Sequence, residues 1–109
     1  MCETKFDIIE QNEAGIVAIC DQCEHLHLEI GTFTSVVSRE SFEDICRFFI
    51  ERKSNIGYLL VKTPSGKRVL VPVANNTFLT LTEDEFFQVS ELFEFARHML
   101  KTKELLELI

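Results

Sequence analysis

One α+β domain built from two strand-hairpin-plus-helix units, with antiparallel sheet packed against two amphipathic helices, is the fold class this sequence predicts. Three observations point to it. Apolar runs of strand length break at turn-forming residues, two longer stretches carry apolar residues at helical spacing behind a small polar cap, and the halves overlay at an offset that drifts only from 42 to 44 residues. The chain has 109 residues, room for a single core, and the half-units span 5–53 and 57–109.

In the first half, Lys5 to Gln11 is apolar enough for a strand, and Asn12-Glu13-Ala14-Gly15 supplies a turn before the run Ile16 to Cys20. Pairing residue 11 with 16 and extending the ladder places Cys2 beside His25. Leu26, Leu28 and Ile30 alternate with His27 and Glu29, the period of a strand with one buried face. Gly31 allows a bend, Thr32 to Val37 is rich in β-branched residues, and Ser38 caps a helix from Arg39 to about Lys53. Phe42, Ile45, Cys46 and Phe49 form its inward stripe, flanked by Phe48 and Ile50.

The second half repeats the plan. Tyr58 to Lys62 and Val69 to Val73 flank the turn Thr63-Pro64-Ser65-Gly66, and Thr77 to Leu81 is a short strand. Thr82-Glu83-Asp84-Glu85 is a capping box for the last helix, whose stripe is Phe86, Val89, Leu92, Phe93, Ala96, Met99 and Leu100. In the overlay Gly15 meets Gly57, CDQCEH meets KTPSGK and VSRESF meets LTEDEF, so the CxxC takes the hairpin turn that Pro64-Ser65-Gly66 takes in the other half. Phe87 lies outside the stripe, and beyond Lys101 the phase changes so that Leu105, Leu106 and Ile109 turn to another side. A homodimer through this helix, with Phe87, Leu105 and Ile109 in the contact, is the expectation.

The distinctive chemistry lies in Ile16 to Thr32, where two thiols and two imidazoles fall close together. Cys20 and Cys23 on a tight turn have the spacing of a zinc knuckle, and Cys2 with His25, or His27 in its place, would complete four ligands. A bare turn with two unligated cysteines is the competing reading. A redox role would ask for a helix N-terminus or a cation beside the thiols, and the motif instead precedes a strand between Asp21 and Glu24. His25, His27 and Glu29 on one strand face form a third arrangement, against which stands an ordinary solvated face.

The balance of 11 Lys and Arg against 18 Asp and Glu, net −7, speaks against nucleic acid. No apolar run is long enough to span a membrane and no signal segment is seen, so a cytoplasmic address is expected. No nucleophile and base, phosphate-cradling glycine loop or acid pair is discernible.

An N-terminal Met-Cys, the CxxC, an alternating strand ending in Gly31-Thr32, and a polar cap followed by Glu40-x-Phe42 resemble a small bacterial family of uncharacterised proteins of about this length. The likeness covers mainly residues 2 to 50 and implies that Cys2, Cys20 and Cys23 are the family's cysteines; it brings no activity with it. The expected function is a small non-enzymatic binding or interaction module with an unidentified protein partner and a candidate structural zinc site. The alternative is a metal- or redox-responsive protein using the CxxC thiols.

Overall fold

The computed structural model describes residues 5–74 and 76–107. Four strands come first: β1 (Phe6–Asn12), β2 (Gly15–Cys20), β3 (Leu26–Ile30) and β4 (Phe33–Val37). Helix α1 (Arg39–Lys53) and a short 3-10 turn (Ile56–Tyr58) lead to β5 (Leu60–Thr63), β6 (Gly66–Ala74) and β7 (Thr77–Leu81), and α2 (Glu83–Glu107) follows. The strands form two antiparallel meanders, one of order β1-β2-β3-β4 and one of order β5-β6-β7. The fold is therefore α+β.

Local chemistry accounts for most boundaries. Ser38 accepts a hydrogen bond from the Ser41 amide, and α1 begins one residue later. At α2 the box is closed both ways: Thr82 Oγ1 accepts from the Glu85 amide at 3.1 Å, and Glu85 Oε1 accepts from the Thr82 amide at 2.8 Å. Gly31, with φ of 60°, makes the left-handed step of the turn joining the Ile30–Phe33 pair. Gly15 is required for another reason: a Cβ there would collide with the Glu29 carbonyl on the neighbouring strand.

Several sequence expectations are corrected. Four strands precede α1 and three lie between it and α2, so β2-β3-β4-α1 has the element order of β5-β6-β7-α2 and β1 stands outside the overlay of the halves. Gln11 does pair with Ile16, but a bulge between Ile8 and Glu10 shifts the ladder by one, so that Phe6 faces Cys20. The extension to Cys2 falls outside the described residues. Ile50 and Met99, placed on or beside inward stripes, are 40% and 49% exposed.

One core draws on both halves, with Val17, Leu26 and Phe42 from the first and Val69, Phe86 and Leu92 from the second fully buried. Burial of each such side chain contributes on the order of 1.5–3 kcal/mol. Aromatic rings join the helices: Phe49 stacks on Phe86 at 5.0 Å and meets Phe93 edge-on at 5.2 Å. Ion pairs run beside this seam from Arg39 to Glu104, Arg97 to Glu43 and Lys53 to Glu94, which sets the helices antiparallel. They also explain the phase change of the tail, since Glu104 occupies a position in register with the core face and meets an arginine instead of apolar side chains.

Candidate functional site

Two places are candidates for function: the cysteine turn between β2 and β3, and a cleft between the two sheets.

The CxxC forms the β2–β3 turn, closed by the Cys20 amide donating to His25 O at 3.0 Å and the Glu24 amide donating to Cys20 O at 3.1 Å. Glu24 has φ of 60°, a left-handed conformation that costs a non-glycine residue about 1–2 kcal/mol. The turn draws the two cysteines together, with the Cys23 amide 3.5 Å from Cys20 Sγ. Cys20 is a buried thiol, while Cys23 is held in a disulfide. A sulfur in a disulfide is not the thiolate that a metal requires. His25 is exposed, its Nδ1 lying 3.1 Å from Cys23 O, and His27 packs against the Phe6 ring at 4.3 Å. His27 and Glu29 lie on the outer face of β3, whereas His25 stays in the turn. Among the described residues no group of three or more His, Cys, Asp or Glu side chains converges to hold a metal ion, and Cys2 lies outside them.

The fourth cysteine has a different setting. Cys46 is buried on α1 and donates to Phe93 O at 3.7 Å. Burial, reinforced by the nearby Glu43 carboxylate, pushes its thiol up to about 12, which leaves it an inert core group. Glu43 itself is partly desolvated, which alone would raise its carboxyl. The Arg97 hydrogen bond and the charges of Arg39, Arg97 and Lys101 outweigh this and hold it below the usual carboxylate value.

The cleft was not legible beforehand as a site. It has a volume of about 570 Å³ and is lined by β3, β4, α1, β6, β7 and one residue of α2. Leu28, Ile30, Phe49 and Val71 form its buried floor, and Phe33 and Leu79 are half-buried on its walls. Among the described residues, only Ser35, Asp44 and Thr77 bring polar side chains to it. β4 and β7 are outer strands of their sheets and, among the described residues, do not pair with each other; the hollow lies between them and α1. Each lining residue was recognisable as apolar; that residues as far apart as Ile30, Ile45 and Leu79 share one hollow was not.

The helix expected to carry a dimer exposes several apolar side chains among charged ones. Leu105 and Leu106 are 64% and 66% exposed. Phe87 is exposed at the edge of Phe86, with ring centroids 6.0 Å apart, and Ile109 lies outside the described residues. Among the described residues no helix is long and apolar enough to cross a membrane.

No curated protein and no solved structure matches the chain. A family of unknown function, DUF6686, matches residues 1–108, far beyond the stretch that carried the resemblance in the sequence. The chain belongs to DUF6686.

Proposed function

We propose that this protein is a non-enzymatic binding module that takes an apolar ligand in the cleft between its sheets. The observation carrying this reading is the cleft itself, whose volume of about 570 Å³ lies within the range of roughly 300–1,000 Å³ usual for ligand sites. Its lining also speaks for binding rather than catalysis. The described lining residues include no histidine, cysteine or lysine to serve as base or nucleophile, and the Asp44 carboxylate, 3.2 Å from Arg47, is two-thirds exposed at the rim.

A neutral solvatochromic dye, Nile red, tests the reading. The native protein should bind it with a blue-shifted emission, and Ser35→Phe, which fills the cleft from the β4 wall, should weaken binding by about tenfold or more with an unchanged circular dichroism spectrum. Equal binding by the two proteins, or no binding by either, would end this reading.

The cysteine turn supports a second reading as a metal- or redox-responsive protein, favoured by the disulfide at Cys23 beside the buried Cys20 thiol. A structural zinc held by Cys20, Cys23, His25 and Cys2 belongs to the reduced form of this reading, because the metal and the disulfide compete for the same sulfur. A second copy against α2 is supported by the exposure of Leu105 and Leu106. Sedimentation velocity with and without dithiothreitol, together with zinc content by atomic emission, addresses all three. A mass that changes on reduction supports the responsive reading, and a dimer abolished by Leu105→Glu supports the helix contact. A monomer indifferent to reductant and free of zinc would rule them out.

A further inference from the structure

We propose that the occupant of the cleft is an extended apolar peptide segment with a flanking basic residue, added as a new strand along β4. This rests on the reading of the cleft as a ligand site and names the class of ligand.

The first argument is main-chain chemistry. β4 closes one side of its sheet by pairing with β3 through all five of its residues, Phe33 to Val37, and no described strand pairs with its other side. The cleft is lined by Phe33, Ser35 and Val37 of β4 and by Thr77 and Leu79 of β7, the outer strands of the two sheets, so the hollow runs from one face of β4 across toward the second sheet. In solution, water satisfies those amides and carbonyls. An apolar occupant that expels the water must replace its hydrogen bonds or leave buried polar groups orphaned. A polypeptide in extended conformation presents donors and acceptors at the repeat a strand offers, and a hydrocarbon presents none. β7 borders the cleft as well, but its ladder to β6 is shifted between Pro72 and Ala74, which makes β4 the more regular template.

The second argument is alternation. Successive side chains of an added strand point to opposite faces. One set would enter the cleft above Phe49 and Val71, which are buried there. The other set would meet the outer face, where Val36 is 47% exposed and Phe78 49% exposed. Both faces of the segment therefore find apolar support. β4 has five residues, which limits the paired footprint to about 17 Å at roughly 3.3 Å per residue.

Charge sets the third requirement. The protein carries a net charge of −7, and among the described lining residues Asp44 is the one that ionises. Its pairing with Arg47 is between side chains 66% and 65% exposed, an arrangement cheap to exchange. A lysine or arginine at one end of the segment gains that carboxylate.

The probe is a fluorescein-labelled peptide, Lys-Val-Thr-Val-Thr-Val-Lys, followed by fluorescence anisotropy, beside an analogue methylated on alternate main-chain nitrogens. The unmethylated peptide should bind and displace Nile red. The analogue and the Asp44→Lys variant should each lower affinity by about tenfold or more. Should Nile red bind and the peptide fail to, the cleft remains a ligand site and the peptide inference falls. Should neither bind, both fall. Equal affinity for the peptide and its methylated analogue would overturn strand addition.

Discussion

The segment β2-β3-β4-α1 and the segment β5-β6-β7-α2 are built to one plan and finished differently. Phe42 and Phe86, and Phe49 and Phe93, are buried pairs 44 residues apart. At the same spacing Cys46 and Ser90 are both buried and both donate to a backbone carbonyl, Phe93 O in one case and Phe86 O in the other. Ser38 and Thr82 cap the two helices. Where the halves diverge, the divergent residue faces something only one half has. Glu43 meets Arg97 of the other helix, whereas its counterpart Phe87 is exposed. Interior chemistry is thus shared, and each surface follows its own neighbour.

The sharpest way to break the correspondence is through its two glycines. Gly15→Ala should cost about 3 kcal/mol, because the new Cβ runs into the Glu29 backbone. At Gly57 an added Cβ would meet nothing within 4 Å, and the residue has no left-handed φ. Gly57→Ala should therefore be neutral or stabilising by up to about 1 kcal/mol through the unfolded chain. Denaturant midpoints decide it, and equal losses at the two sites would show the equivalence to be closer than the fold implies.

The caps come next in size. Ser38→Ala should cost about 1 kcal/mol, and Thr82→Ala somewhat less, because the Glu85 side chain still accepts from the backbone amide at position 82. A larger loss at Thr82 would contradict this ranking.

The smallest effect concerns Glu43. Its carboxyl sits below the usual value in the folded protein, so its stabilisation is present above the unfolded carboxylate range and disappears as the pH falls through the folded value. Glu43→Gln should therefore cost on the order of 0.5–1 kcal/mol near pH 7, since the group is a quarter exposed, with the gap to the native protein closing in acid. A gap constant from neutral pH down to about pH 3 would remove Glu43 from the acid limb.

How much could be read in advance divides along the same line. The bounds of α1 and the turn at Pro64-Ser65 were legible because cap and turn chemistry acts within four residues. Met99 was misplaced because helical spacing says which residues share a face and not how wide a face the neighbours cover. The cysteine turn was placed correctly between β2 and β3, but the bulge at Ile8/Glu10 is a property of pairing that no single strand records. The cleft escaped notice altogether, since its lining is gathered from six elements spread between Leu28 and Phe93, and β4 and β7 on either side of it are not paired among the described strands.

Helix α2 lies along β1, with Asn12 Nδ2 donating to Gln88 O at 2.9 Å. β1 nevertheless stays largely exposed, and the opposite margin of the larger sheet is the five-residue β4, which lines a recess over α1. Fibril growth needs a long, flat, open margin on which a second sheet can template. Among the described residues the outer strands β4, β5 and β7 are all short, with five, four and five residues, so each open margin gives a second sheet little length on which to template.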